Sequence, residues 1–188
     1  MRTYLSHPKS DSQVFLEIKT KDQEGVGRKF RLLSTPISIL NFMTKGYLDA
    51  SITDTVVIEK VKKLQRDYKF AIKPRMYIYY DRYSLKEKKY IEGYDYNKIR
   101  ITIDQNLVYR DETVNLFAGK HGDALLDDRT VIIEIKAPGN KPQWLQDILD
   151  KYGLMEHKFS KYSCAYHKSQ GLPYAPRPSI ESAGIAYA

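Results

Sequence analysis

Four short runs in this chain switch between an apolar and a charged residue at nearly every step: QVFLEIKTK at 13–21, RKFRLL at 28–33, KIRITIDQ at 98–105 and VIIEIKA at 131–137. A period of two belongs to β-strands, whose successive side chains point to opposite faces. The first run sorts Val14, Leu16 and Ile18 from Phe15, Glu17, Lys19 and Lys21, and the second sorts Phe30 and Leu32 from Lys29 and Arg31. Gly25 and Gly27 in the intervening DQEGVG supply a reversal, so these two runs are read as a hairpin. The third sets Ile99, Ile101 and Ile103 against Arg100, Thr102 and Asp104; the fourth sets Val131, Ile133 and Ile135 against Ile132, Glu134 and Lys136. A further run after Pro74, RMYIYYDRYSL, puts Ile78, Tyr80 and Arg82 on one face. LVYR at 107–110 is expected to pair with the third run across a turn at Gln105-Asn106.

Helical spacing lies between the strands. A helix is expected from about Pro36 to Lys45, ended by Gly46. Val57, Val61, Leu64 and Tyr68 recur at helical intervals, with Asp54 near the start and Lys60, Lys62 and Lys63 later, which suits the helix dipole. Segment 111–129 reads as loop. Pro138-Gly139 ends the strand before it, and Pro142 suits the first turn of a helix carrying Trp144, Leu145, Ile148 and Leu149, closed near Gly153. A last helix at about 159–168 holds Phe159, Tyr162 and Tyr166, and residues 169–188 read as an extended, proline-containing tail. No internal repeat appears, and no linker marks a domain boundary.

With 42% hydrophobic and 29% charged residues over 188 positions, the chain can bury one domain's core, which excludes wholesale disorder. It has no apolar run of about 18 residues, and its start is polar, so no membrane insertion is expected and a cytoplasmic location is the default. Cys164 is the single cysteine, which excludes a disulfide framework and a multi-cysteine zinc site and reads as a small buried residue. A net charge of +8 with 16 tyrosines suits a polyanionic partner, either nucleic acid or phosphate chains.

The strand faces carry the chemistry. A solvated outer face is the plain explanation of alternation, but these faces mix cations with carboxylates and use few neutral polar residues. Helices with apolar stripes are available to cover the aliphatic faces. The expected architecture is therefore α+β: a curved antiparallel β-sheet, forming a partial tunnel barrel with flanking helices and its charged side inward. Arginine and lysine in such a tunnel hold successive phosphates, and carboxylates hold Mn²⁺ or Mg²⁺ that bridge phosphate oxygens.

The order LEIKTK at 16–21, RKFR at 28–31, YDR at 80–82, RITID at 100–104, IEIK at 133–136, PQWL at 142–145 and FSKY at 159–162 resembles the VTC domain of the triphosphate tunnel metalloenzymes, over residues 1–168. The best-known members are polyphosphate polymerases. The resemblance implies phosphate contacts at Arg2, Lys19, Lys29, Arg82 and Arg100, and at Ser160 and Lys161 where the last helix begins. It also implies Glu134 as the metal-binding carboxylate. Residue parity agrees for Lys19, Lys29, Arg82, Arg100 and Glu134, and a helix N-terminus favours phosphate at Ser160 and Lys161. Family members begin with a strand bearing an ExExK-like or EhK-like motif that is missing ahead of Met1-Arg2-Thr3-Tyr4. The expectation is thus the later two-thirds of the domain, weak or inactive alone until the first strands are supplied, in one form by another chain.

Other residues read more plainly. Lys21 and Arg31 are expected to be solvated, His7, His121, His157 and His167 to be surface or loop residues without metal-ligand spacing, Trp144 to anchor its helix in the core, and Lys86, Lys88 and Lys89 to form a solvated turn. The leading functional expectation is metal-dependent phosphoryl transfer on nucleoside triphosphate and polyphosphate, with triphosphate hydrolysis as a sister reaction. A non-catalytic polyphosphate-binding module ranks next. A basic nucleic-acid-binding domain ranks last, because neither an RNA-binding aromatic signature nor zinc-finger spacing is present.

Overall fold

The computed structural model describes residues 1–21, 27–68, 72–86, 99–137 and 140–178. Gly25, Lys88, Lys89 and the Pro138-Gly139 pair lie outside the described residues. The fold is α+β with antiparallel strands, and the chain forms two compact units, one from residues 1–75 with 114–119 and the other from the remainder.

In the first unit, β1 (Val14–Lys21) and β2 (Gly27–Ser34) form the expected hairpin, in a register that sets Glu17 opposite Arg31 and Lys19 opposite Lys29. Its aliphatic face, Val14, Leu16, Ile18 and Leu32, is buried in one cluster with Ile39, Phe42, Val57, Ile58 and Val61. Two helices supply those partners. α1 (Pro36–Lys45) starts where the Thr35 hydroxyl accepts from the Ser38 N–H and ends at Gly46, whose φ of 72° is the left-handed conformation glycine adopts without strain. α2 (Thr55–Tyr68) starts at Asp54, whose carboxylate accepts from the Val57 N–H at 2.9 Å. The charged face of the hairpin is thus the one without helices.

The second unit reverses this arrangement. β4 (Arg100–Arg110) runs between β3 (Tyr77–Lys86) on one edge and, on the other, β5 (Asp123–Ala124) and β6 (Ile132–Lys136). No turn occurs at Gln105-Asn106. The expected pair of strands is a single eleven-residue strand with a bulge, at which Asn106 takes φ 52° and the register to β3 slips by one residue. Asparagine tolerates that conformation, so the chain kinks and continues instead of reversing.

The bulge matters because it switches parity. Arg100, Thr102 and Asp104 precede it, and Leu107 and Tyr109 follow it on the same face. The apolar half of that face packs with Ile78, Tyr80 and Ile132 against Cys164 and Ala165 of α4 (Lys161–Ser169). The helix that covers the apolar half therefore shelters the polar half beside it. Thr102 and Asp104 are buried, whereas Tyr83, Leu85 and Ile133 on the aliphatic side are exposed.

α3 (Gln143–Lys151) begins at Pro142, which occupies the N-cap and not the first turn. Leu145 anchors it, at 2% exposure, while Trp144 is 42% exposed, so the expected core anchor is one residue off. Cys164 is buried as expected, but Tyr162 and Tyr166 stack on each other at the exposed side of α4, and Phe159 precedes the helix. β7 (His157–Lys158) pairs with β8 (Arg177–Pro178). The sheets remain separate, and no barrel closes among the described residues.

Candidate functional site

On the hairpin, Glu17 gathers the cations. Arg2 is placed by two backbone hydrogen bonds exchanged with Phe15, and its guanidinium lies 3.6 Å from the Glu17 carboxylate. Arg31 donates to the same carboxylate at 2.5 Å and Lys29 approaches to 3.9 Å. Arg31 is exposed, as expected, and from that position it binds Glu17 and lies over the Phe15 ring. Burial alone would raise the Glu17 carboxyl, but the Arg31 hydrogen bond and the three surrounding cations outweigh it and hold the group below its usual range. Lys19 is exposed, faces Lys29 across the ladder and makes no ion pair among the described residues.

On the second unit's sheet the side chains line up in rows. Lys86, Arg100 and Lys136 lie opposite one another across three strands, Ser84, Thr102 and Glu134 form the next row, and Arg82, Asp104 and Ile132 the one after it. Asp104, fully buried, holds the last row together. Arg82 clasps it with two bonds, Nε to Oδ1 at 2.5 Å and Nη2 to Oδ2 at 2.7 Å, and Lys161 Nζ reaches Oδ2 at 2.7 Å. Both cations lie over the Tyr80 ring, at 5.0 and 4.9 Å from its centroid. Burial would raise the Asp104 carboxyl, yet the hydrogen bonds from Arg82 and Lys161 prevail and hold it below the ordinary value, and the Arg82 guanidinium is correspondingly raised, chiefly by its bond to Asp104. Glu134 is bound more loosely, to Lys136 at 3.2 Å and Arg82 at 3.6 Å, with 40% of its side chain open to solvent. Its carboxyl too lies below the usual range, because Lys136, Arg82 and Lys161 outweigh the burial that would raise it.

Of the sequence-derived candidates, Arg2 and Lys29 meet at Glu17, while Arg82 and Lys161 meet at Asp104 and Glu134 joins them through Arg82. Arg100 stands in the exposed cationic row. Ser160 caps α4, accepting from the Ser163 N–H at 3.2 Å while its own N–H donates to the Tyr174 hydroxyl at 2.9 Å, so the cap is occupied internally. Asp104, Lys136 and Tyr80 complete the arrangement without having been singled out. An aspartate amid isoleucines in RITID was the available signal, since strands are poor in aspartate. His167 is half-buried in α4 against Tyr166 and Tyr174, unlike the expected surface position.

No cluster of three metal-ligating side chains occurs among the described residues. Both Asp104 oxygens are tightly held by cations, whereas the Glu134 oxygens meet Lys136 and Arg82 at 3.2 and 3.6 Å and remain partly open to solvent. That donor set fits an ion such as Mg²⁺ or Mn²⁺ that arrives with phosphates and waters and takes one or two carboxylates, and does not fit a protein-only cage.

The family model for the VTC domain matches residues 1–169. The chain belongs to the VTC domain family. Membership is consistent with a polyphosphate polymerase-like or triphosphate tunnel domain. No curated protein and no solved structure shows significant similarity to the chain. No helix among the described residues of this VTC domain is long and apolar enough to cross a membrane.

Proposed function

We propose that this VTC domain binds triphosphate and polyphosphate on the polar face of β3, β4 and β6 and carries out metal-dependent phosphoryl transfer there. The observation that supports it most is the row Lys86, Arg100 and Lys136. Like charges directly opposite in a sheet, with Cβ atoms about 4.5–5.5 Å apart, destabilise the pairing. Neither Lys86 nor Arg100 has an ion pair among the described residues, and only Lys136 is balanced, by Glu134. A polyanion supplies the missing counter-charge.

The adjoining rows give the site its order. Asp104 fixes Arg82 and Lys161 side by side over Tyr80, so their placement is set before a phosphate arrives. Arg100 and Lys136 then contact the outer phosphates, and Glu134, loosely paired and 40% exposed, offers its carboxylate at the junction of the two groups. Mn²⁺ or Mg²⁺ held by Glu134 would neutralise charge on the phosphoryl group in transfer. On the hairpin, Arg2, Lys19, Lys29 and Arg31 against a single Glu17 leave a surplus of positive charge for the same class of ligand.

The test is polyphosphate synthesis from ATP with either ion. Metal-dependent chain growth is expected, lost in Glu134→Gln while metal-free tripolyphosphate binding survives. A chain that binds tripolyphosphate but neither extends nor hydrolyses it is a binding module. Tighter binding of single-stranded nucleic acid than of tripolyphosphate at equal salt overturns the proposal.

A further inference from the structure

Thr102 is 3% exposed, and its Oγ1 is the one buried side-chain oxygen among the described residues without a hydrogen-bond partner. Burying a hydroxyl without a partner is unfavourable. Valine would fill the same β-branched volume without that cost, so the free protein gains nothing from the hydroxyl.

The neighbours of Thr102 limit what it serves. On its own strand, Asp104 has both oxygens taken by Arg82 and Lys161. Across the ladder it faces Ser84 on one side and Glu134 on the other. Directly opposed residues place their Cβ atoms about 4.5–5.5 Å apart, within reach of a hydroxyl-to-carboxylate bond after one side-chain rotation. Glu134 is held elsewhere, by Lys136 and Arg82, both of them cations that face the proposed phosphate site.

We infer that Thr102 is a positioning residue for Glu134: its hydroxyl donates to the Glu134 carboxylate when a phosphate ligand draws Lys136 away and takes over the loose contact that Arg82, itself fixed by Asp104, makes with Glu134. The inference rests on the phosphate-site reading above. Without Thr102, a Glu134 released by its cations has no fixed donor and swings with its own rotamers. With it, the carboxylate keeps one orientation toward the ligand. The hydroxyl thus has no partner in the free protein and one in the loaded protein.

Thermal melts and calorimetry on the whole chain test this with Thr102→Val and Thr102→Ser. Without ligand, Thr102→Val should melt at or above the wild type, by up to about 2–4 °C. With Mn²⁺ present, its affinity for tripolyphosphate should fall about 5- to 10-fold, equivalent to roughly 1–1.4 kcal/mol. Without Mn²⁺ the two affinities should match, and Thr102→Ser should behave as the wild type in every measurement. A ligand-free Thr102→Val that melts below the wild type, or a Mn²⁺-dependent affinity equal to the wild type's, overturns the inference and leaves the phosphate site standing. Wild-type protein that does not bind tripolyphosphate, or binds it identically with and without Mn²⁺, removes the parent reading or its metal, and this inference with it.

Discussion

Replacing Asp104 by asparagine removes one negative charge and almost no volume, from a position with no solvent contact. Arg82 and Lys161 are then left side by side without the carboxylate that joins them. Removing one partner of a buried ion pair costs about 3–5 kcal/mol. Here Arg82 and Lys161 keep 24% and 20% of their side chains exposed, and Arg82 retains Glu134 at 3.6 Å, which moves the expectation to the lower end. About 3 kcal/mol in a chain of this size corresponds to a fall of about 6–12 °C in melting temperature. The folded Asp104 carboxyl lies below its unfolded value of about 3.9. Its contribution is therefore complete above that pH and is lost as pH falls through the lower, folded value. Melting curves followed by circular dichroism should show a wide gap between wild type and Asp104→Asn at pH 7 that closes only below about pH 4. A variant that melts within about 2 °C of the wild type at pH 7 refutes the reasoning, as does a gap that persists unchanged at the acid end.

Three further outcomes follow from the packing. Leu145→Ala should cost about 2–4 kcal/mol in urea unfolding and Trp144→Ala clearly less, because only the leucine is buried. Asn106→Val should cost about 2 kcal/mol, combining the strain of a branched residue at φ 52° with the lost bond from Asn106 Nδ2 to Asp81, and Asn106→Gly should cost less because it keeps the bulge. Burial pushes the Cys164 thiol upward, so iodoacetamide should label it only under denaturing conditions at neutral pH, as read by mass spectrometry.

Alternation located the principal long strands and sorted their faces, and the capping residues Thr35 and Asp54 and the stop at Gly46 fall where helices begin and end. Parity alone does not say which face a helix will cover. On the hairpin the aliphatic side is covered, and on the second sheet the Asp104 end of the charged side is, because one extra residue at Asn106 brings Leu107 and Tyr109 round to the face of Asp104, while Lys86, Arg100 and Lys136 stay exposed. A bulge asparagine and a turn asparagine look alike in sequence, since both exploit tolerance of positive φ. Asp104 was visible as a charged residue, but its hold on two cations depends on α4, some sixty positions later, delivering Lys161 to it. Trp144 misled for a simpler reason: adjacent helix positions differ in direction by about 100°, and the larger side chain is not always the inward one.

Titration calorimetry of tripolyphosphate at fixed salt, on the wild type, Arg100→Ala and Arg66→Ala, tests the central claim most directly. Arg66 is an exposed cation on α2, so its loss changes net charge by the same amount as the loss of Arg100. A charge-assisted phosphate contact contributes about 1.5–3 kcal/mol, so Arg100→Ala should weaken binding at least 10-fold while Arg66→Ala leaves it nearly unchanged. Equal losses in the two variants would mean that the anion responds to overall charge and not to the row of cations across β3, β4 and β6, and would contradict the account.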